Sequence, residues 1–256
     1  MGMLESIKSG RENKPPRIMV YGQEGVGKST FGASAPAPII IQTEDGLGEI
    51  DCCKFPLAQS VGDVLDSLTA LRDEEHNFRT VVIDSLDWLE RLIFDEICKE
   101  FGVRSIEKAD GGYGKGYVDA LVHWRKVIAL LDELRNKRGM MVILLAHAKV
   151  ERFEDPENAA YDRYSPRLHK HAASLISEWV DAVLFATKRL RVSKDGDSRT
   201  IAAPIGADGG ERILRTNGSP ACIAKNRYSL PSEIPLSWNA FIEAYRNSVA
   251  PAAAAS

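Results

Sequence analysis

The stretch Gly22-Gln23-Glu24-Gly25-Val26-Gly27-Lys28-Ser29-Thr30 decides which fold this sequence predicts. It fits the pattern G-x-x-x-x-G-K-[ST] and lies between an apolar strand at residues 17–21 and the start of a helix. The glycines let successive backbone N–H groups wrap a phosphate, and the helix start adds a positive field. These residues are therefore expected to bind ATP with Mg²⁺, with Lys28 as the cation for the β- and γ-phosphates and Ser29 as a hydroxyl ligand of the metal.

Outward from this motif, apolar strands alternate with amphipathic helices. Strands are predicted at residues 17–21, 38–42, 80–84, 140–146 and 182–186, and helices at 63–74, 86–101, 117–135, 167–178 and 238–245. The polar segment after residue 146 carries no clear element, and a hairpin is predicted over residues 189–203. The pattern indicates one α/β domain at residues 17–248, with helices flanking a mainly parallel central sheet and with C-terminal β-hairpins. Residues 1–16 are expected to be a flexible lead-in, and residues 249–256 a disordered Ala/Pro tail.

Composition and charge narrow the class of protein. The 256 residues are 44% hydrophobic, and the longest apolar run, at residues 140–146, is far shorter than the ~20 residues that cross a bilayer. Since residues 1–8 contain no apolar signal segment, a cytoplasmic protein with no membrane partner is expected, and its four cysteines are expected to be free thiols. The net charge of −3 predicts no whole-protein attraction to nucleic acid, so any such contact must use a local patch.

Two carboxylates are candidates for the chemistry of hydrolysis. Asp84 ends the strand at residues 80–84, at the carboxyl edge where open α/β sheets bind ligands. It is predicted to hold Mg²⁺ through water, and a helix N-cap is the alternative. Glu44 lies just past the strand at residues 38–42 and is the candidate general base, with Asp45 and Glu49 as rivals and an ordinary loop carboxylate as the alternative.

Three segments together resemble the RecA-like P-loop ATPase core: residues 22–30, Ile41-Gln-Thr-Glu44-Asp-Gly-Leu47 and Val81-Val-Ile-Asp84-Ser85. A fourth, Ala224-Lys225-Asn226-Arg227, is similar to the A-K-N-R segment of DnaB-type and RadA-type members. The resemblance covers residues 17–230, and it implies a RecA-like fold and ATP hydrolysis. Because no helicase or recombinase domain is expected before it, the chain looks most like phage-encoded RecA-like single-strand annealing and recombination proteins.

The resemblance also implies roles for three residues outside the motif. Lys225 and Arg227 would reach the nucleotide of a neighbouring subunit, which implies a homo-oligomeric ring or filament assembled head to tail; a solvated turn is the alternative. Because Lys225 and Arg227 are two residues apart at the end of a strand, both side chains can project to the same side. Cations that act on the nucleotide of another subunit would couple hydrolysis to assembly. His147 follows the fourth core strand, where such proteins often carry a residue that senses the γ-phosphate. Many of them have Gln there, and a structural histidine is the alternative.

Two loops are candidates for contact with single-stranded DNA. Residues 111–117 interleave Tyr113 and Tyr117 with Lys115 among glycines, and rings with a cation suit base stacking and phosphate contact. Residues 163–194 contain seven basic and two acidic side chains, and Arg163, Arg167 and Lys170 are the candidate contacts. Acidic residues between positions 151 and 162 would repel phosphate. Both loops resemble the DNA-facing loops of RecA-like cores in position, and solvated or partner-facing loops are the alternative.

The function that these observations favour is a DNA-dependent ATPase that acts on single-stranded DNA in recombination or annealing, with a single-strand-binding protein as a further partner. A DnaB-type helicase motor, a P-loop kinase of a small molecule and an ATP-gated interaction module without DNA are the alternatives. A kinase would need a lid with several arginines and would leave Lys225 and Arg227 unexplained. The sequence does not distinguish annealing, strand exchange and unwinding.

Overall fold

The computed structural model describes residues 3–7, 12, 14–195, 199–205 and 210–249. The strands and helices in these residues are, in chain order, β1 (Arg17–Gly22), α1 (Lys28–Ala33), β2 (Pro38–Gln42), β3 (Cys53–Lys54), α2 (Val61–Asp73), β4 (Thr80–Asp84), α3 (Leu86–Glu100), α4 (Lys115–Lys137), β5 (Met141–Phe153), β6 (Tyr161–Pro166), α5 (Lys170–Trp179), β7 (Ala182–Lys188), β8 (Leu190–Asp195), β9 (Arg199–Pro204), β10 (Arg212–Arg215), β11 (Lys225–Asn226), β12 (Glu233–Pro235) and α6 (Trp238–Val249). Short 3-10 helices cover Met3–Ser6 and Ile106–Gly111. The predicted tail after residue 249, part of the predicted lead-in and the tip of the predicted 189–203 hairpin lie outside the described residues.

One sheet runs through the domain in the order β12-β10-β7-β1-β5-β4-β2-β3. The strands from β7 to β3 are parallel, and β10 and β12 extend the sheet with antiparallel pairs. The central strand β1 is apolar on both faces, with Met19 and Tyr21 in one core and Ile18 and Val20 in the other. A strand buried on both faces has this continuous apolar character. The predicted α/β fold with a mainly parallel sheet is confirmed, and β8 and β9 form the predicted hairpin.

Helices cover both faces of the sheet. One core includes a buried side chain from each of α2, α3, α4 and α5, namely Leu68, Leu89, Trp124 and Ile176. On the other face Phe31 of α1 packs against Trp238 of α6, with ring centroids 5.6 Å apart. Because burying one such side chain stabilises the fold by about 1.5–3 kcal/mol, Phe31 holds the short helix α1 firmly to the sheet. In the part of the chain that the structure describes, no helix is both long and apolar enough to cross a membrane.

The polar segment after residue 146 forms a β-hairpin, so the expectation of no regular element there is wrong. β5 continues to Phe153 and pairs antiparallel with β6. Glu151 lies directly opposite Arg163, and the two side chains form an ion pair at 3.1 Å. Cross-strand charge pairs of this kind stabilise a ribbon that has no strongly apolar face. A search for apolar strands misses such a ribbon for that reason.

The helices α4 and α5 begin at other residues than predicted. α4 begins at Lys115, so Tyr117 lies in a helix rather than in a loop. Gly116 allows this start, because a Cβ there would collide with the carbonyl oxygen of Ile106 in the preceding 3-10 helix. α5 begins at Lys170, so Arg167 lies in the connection before it.

Candidate active site

The P-loop, residues 22–30, turns from the end of β1 into α1 at the carboxyl edge of the sheet. Gly27 has φ +109°, in the left-handed region where other residues are strained, so the turn requires glycine. The side chain of Lys28 is buried behind it, and its Nζ donates to the carbonyl oxygens of Gly22 (3.2 Å) and Gln23 (3.1 Å). Burial lowers the pKa of Lys28, and nearby carboxylates, Asp84 foremost, oppose that shift. The loop thus holds a cation where it can meet phosphate oxygens.

Ser29 and Asp84, the two predicted Mg²⁺ ligands, lie together. Asp84 is the last residue of β4, is buried, and accepts a hydrogen bond from the Ser29 hydroxyl. Burial raises the pKa of Asp84, while the bond from Ser29 and the charge of Lys28 act in the opposite direction. A hydroxyl and a carboxylate are the hard oxygen donors that Mg²⁺ binds, and a dication would favour the ionised carboxylate. These residues therefore fit the metal.

Glu44 follows β2 and lines the same cleft as Lys28. Asp45 and Glu49, the rival carboxylates, are also described by the structure, and neither lines that cleft. The Ser85 hydroxyl donates to Glu44 Oε2 at 3.1 Å. Thr43 joins the ends of β2 and β4, because its hydroxyl donates to the Ser85 carbonyl (2.6 Å) and accepts the Ser85 N–H (2.9 Å). The residues that follow β2 and β4 therefore fix the position of the Glu44 side chain together.

His147 faces the P-loop because β1 and β5 pair in a register that sets Gly22 opposite it. Its buried ring lines the cleft, with Nδ1 3.0 Å from Asp87 Oδ2 and 3.8 Å from Glu44 Oε2. Asp87 also accepts the backbone N–H of His147 at 3.0 Å. Two bonds to one carboxylate fix the ring and leave Nε2 as the nitrogen that can meet a ligand.

Asp87, in the first turn of α3, is a site residue that sequence reasoning missed. Its buried carboxylate also accepts from Arg167 Nη2 at 2.9 Å, and Nη1 of the same arginine lies 3.5 Å from Glu24 in the P-loop. Burial by itself would raise the pKa of Asp87, but hydrogen bonds from His147 and Arg167 hold it well below its usual range. The charged carboxylate of Asp87 therefore joins β5 to the segment before α5, and Arg167 in that segment reaches Glu24 in the P-loop. Its position three residues after Asp84 is the only signal of it in the sequence.

The cleft beside the P-loop has a volume of about 400 Å³. It brings together the predicted residues Lys28, Ser29, Glu44, Asp84 and His147. Other motif residues on its wall are Glu24, Gly25, Gly27 and Thr30. Of the remaining predicted nucleotide-binding residues, all within the described chain, Gly22, Gln23 and Val26 do not line it: the first two accept from Lys28, and Val26 packs in the core.

Arg212 is a second residue of this cleft that sequence reasoning missed. It comes from β10, and its Nη1 would lie 3.1 Å from a Cβ built on Gly27. Among the described residues no hydrogen bond or ion pair engages its guanidinium. No sequence motif marks this residue, because only the pairing of β10 with β7 carries it to the P-loop.

Lys225 and Arg227 lie at the opposite edge of the sheet from the P-loop. β11 pairs with the first residues of β7, whereas the P-loop follows the last residue of the parallel neighbour β1. At 3.3 Å per residue, the positions of β7 beside Lys225 and Arg227 lie roughly 10–17 Å along the strands from the end of β1, where the P-loop begins. Neither cation lines the cleft of its own chain.

The two cations have different surroundings. Arg227 is 55% exposed, and its Nη1 lies 3.6 Å from Asp181 Oδ1. Lys225 Nζ donates to three carbonyl oxygens at the end of α5, those of Ser177 (2.7 Å), Glu178 (3.0 Å) and Val180 (2.7 Å). In this conformation Arg227 is the freer of the two.

Four of the six predicted DNA-contact residues form one surface, a cleft of about 340 Å³ lined by Tyr113, Lys115, Tyr117 and Lys170 together with His169 and His171. The ring of Tyr113 is fully exposed, and Lys115 is 59% exposed with an ion pair to Asp110 at 3.5 Å. Tyr117 stacks on His169 with ring centroids 3.9 Å apart and 7° between planes. This cleft, which we call the aromatic cleft, combines rings with two lysines.

The other two predicted DNA contacts, Arg163 and Arg167, are bound to carboxylates. Arg163 donates to Glu151 at 3.1 Å and lies over the ring of Phe153 at 3.9 Å. Arg167 is held by Asp87, and neither arginine lines the aromatic cleft. The excess of positive charge counted along residues 163–194 is therefore partly neutralised by carboxylates from β5 and α3.

Comparison with known proteins gives one family match. A family model described as an AAA domain matches residues 14–228, from just before β1 to just after β11. No match exists among curated proteins. Among solved structures, the crystal structure of the RadB recombinase is similar, with 12% sequence identity, coverage of 89% of this chain and 90% of that chain, and a TM-score of 0.48.

Proposed function

Because the chain belongs to the AAA domain family, we propose that it is a RecA-like ATPase that hydrolyses ATP to ADP and phosphate and acts on single-stranded DNA in phage-type recombination or annealing. One observation carries the ATPase part of this proposal: a single cleft holds a buried lysine, a hydroxyl next to a carboxylate, and a second carboxylate. These are Lys28, Ser29 with Asp84, and Glu44. Phosphoryl transfer depends on positioning and electrostatic stabilisation, and each of these groups serves one part of it.

The P-loop binds the triphosphate. The backbone N–H groups of Gly25, Lys28 and Ser29 have no acceptor within the described chain, so they can donate to phosphate oxygens. Lys28 Nζ exchanges its carbonyl contacts for the β- and γ-phosphates. Ser29 and Asp84 would hold Mg²⁺, which would supply positive charge against the negative charge that develops during phosphoryl transfer.

Glu44 acts on the attacking water. Its Oε2 accepts from Ser85, and its Oε1 has no partner among the described residues, so Oε1 is free to take a proton from water. The water oxygen then bonds to the γ-phosphorus as the bond to the ADP oxygen breaks. His147, fixed by Asp87 through Nδ1, would contact the γ-phosphate through Nε2, as the predicted sensor role requires.

The proposal includes head-to-tail assembly into a ring or filament. Lys225 and Arg227 lie at the edge of the sheet that is remote from their own P-loop. If this edge of one copy meets the P-loop edge of the next, exposed Arg227 reaches the neighbouring nucleotide as an arginine finger does. Lys225 supports that edge through its three bonds to the end of α5.

Single-stranded DNA is proposed to bind at the aromatic cleft. Stacking on Tyr113 and Tyr117 uses the π-face that every base has, so little sequence preference is expected. Lys115 and Lys170 would bind backbone phosphates, which makes the affinity fall with salt. Arg163 and Arg167 would contribute only on leaving their carboxylate partners.

ATP turnover by the purified full chain, with Mg²⁺ and with or without single-stranded DNA, tests the proposal. We expect hydrolysis that single strands accelerate and that Lys28→Ala abolishes, whereas Lys126→Ala, a change at an exposed lysine of α4, leaves it unchanged. Transfer of phosphate only to an added small molecule would instead identify a kinase. ATP binding without hydrolysis in any condition would identify an interaction module.

A further inference from the structure

A second cleft, of about 200 Å³, opens beside the P-loop cleft. Gly27, Thr30 and Arg212 line both clefts, so the two spaces share a wall. The rest of the second cleft is formed by α1 and by residues 236–239 at the start of α6. A ligand whose phosphates lie on the P-loop can therefore extend into the second cleft.

The two clefts differ in chemistry. The P-loop cleft carries the carboxylates of Glu44 and Asp84, whereas none of the residues lining the second cleft, all of them described, is acidic. Apolar surface in the second cleft comes from Phe31, Leu236 and Trp238. A mainly apolar pocket with a few polar groups is typical of the part of a site that holds an organic ring.

Arg212 and Leu236 lie over the P-loop where the clefts join. A Cβ built on Gly27 would lie 3.1 Å from Arg212 Nη1 and 3.7 Å from Leu236 Cδ2. The backbone N–H of Leu236 donates to the carbonyl of Arg212 at 2.9 Å, which keeps the two residues side by side. Since no described residue engages the guanidinium, its planar face and its charge are both available to a ligand. A guanidinium can stack on an aromatic ring and remain charged beside phosphate.

The direction in which a nucleotide lies follows from the positions of Glu44, His147 and Arg212. Glu44 and His147 must face the γ-phosphate if they act in hydrolysis, and neither lines the second cleft. The nucleoside must then leave the P-loop toward Arg212. We propose that the second cleft is the nucleoside subsite and that the base packs against Leu236 and the guanidinium of Arg212. This inference rests on the proposed ATPase function and names the residues that select a nucleotide over a bare polyphosphate.

Calorimetric titration of the full chain with ATP and with inorganic tripolyphosphate, both with Mg²⁺, separates the two clefts. We expect wild-type protein to bind ATP at least about tenfold more tightly than tripolyphosphate. Leu236→Ala and Arg212→Lys should each lower this preference by about 5- to 10-fold, which brings the two affinities close to equal, while leaving the tripolyphosphate affinity unchanged. Arg212→Lys keeps the charge and loses the planar face, so it isolates stacking.

Matched controls are Leu190→Ala, at an exposed leucine of β8, and Arg215→Lys, on the same strand as Arg212 but ion-paired to Glu233 at 3.5 Å. Neither should change the preference for ATP, and melting curves check that all variants fold. Wild-type protein that binds neither ligand would overturn the ATPase proposal. Protein that binds both equally well, or variants that keep the wild-type preference, would overturn the nucleoside subsite and leave the P-loop function standing.

Discussion

Replacing Asp87 by alanine tests whether one buried carboxylate organises the catalytic edge. Asp87 accepts the His147 backbone N–H (3.0 Å), the His147 Nδ1 proton (3.0 Å) and Arg167 Nη2 (2.9 Å). A buried donor left without an acceptor costs about 1–3 kcal/mol, and breaking a buried ion pair costs about 3–5 kcal/mol. Because the Arg167 side chain is 36% exposed, water replaces part of its contact, and the lower part of that range applies. We expect Asp87→Ala to lower the free energy of unfolding by about 3 kcal/mol.

Urea unfolding at pH 7, followed by circular dichroism, measures this loss. Asp87→Asn keeps a carbonyl acceptor and should lose about half as much. Asp95→Ala, at an exposed carboxylate on the same helix, is the control and should stay within about 0.5 kcal/mol of wild type. An Asp87→Ala protein as stable as the control would refute the assigned network. If stability falls but ATP turnover does not, Asp87 supports the fold without positioning His147.

The pH dependence gives a second test of the same carboxylate. The pKa of Asp87 in the folded protein lies below its usual range, so the unfolded chain takes up a proton first as the pH falls. The stabilisation by Asp87 is therefore complete above its unfolded pKa of about 3.9 and is lost as the pH falls through the folded pKa. The difference in stability between wild type and Asp87→Ala should shrink as the pH falls below about 3.9.

Glu44→Gln should keep ATP binding and lower turnover by about 100-fold or more, because only the general base is removed; unchanged turnover would move the base to another carboxylate. A mixture of Arg227→Ala and Lys28→Ala proteins should hydrolyse ATP faster than the sum of the two alone, since a mixed interface can join one intact P-loop to one intact finger. Simple additivity, or a protein that stays monomeric with ATP and DNA, would contradict the role in trans. Tyr113→Ala should weaken binding of single strands by about 5- to 150-fold, as measured by fluorescence anisotropy, while Tyr113→Phe keeps the ring and should bind as wild type does. Burial raises the pKa of Glu90 to about 7, so its contribution to stability is complete below its unfolded pKa of about 4.3 and is lost as the pH rises through 7. Glu90→Gln should therefore exceed wild type in stability by about 3–4 kcal/mol at pH 8 and match it at pH 4 in urea titrations; a difference that does not vary with pH would contradict this.

Local features of this protein could be predicted from the sequence because their determinants lie within a few residues. The P-loop needs only glycines and a lysine at fixed spacing between a strand and a helix, and the structure has that strand–turn–helix at residues 17–33. The apolar strand at Thr80–Asp84 likewise places Asp84 at the carboxyl edge of the sheet, where it meets Ser29. Parallel strands buried on both faces have continuous apolar runs, so the mainly parallel sheet could also be predicted.

Only the tertiary structure determines which residues that are distant in sequence lie beside the P-loop at the carboxyl edge of the sheet. Asp87 and His147 are 60 residues apart in sequence, and they meet because β5 pairs with both β1 and β4 in a specific register. Arg212 reaches Gly27 only because β10 adds to β7 as an antiparallel strand. The same holds for Arg227, which the pairing of β11 with the first residues of β7 carries away from its own P-loop. A register between strands joined by long crossovers depends on how both cores pack as a whole, and no short segment of the sequence contains that information.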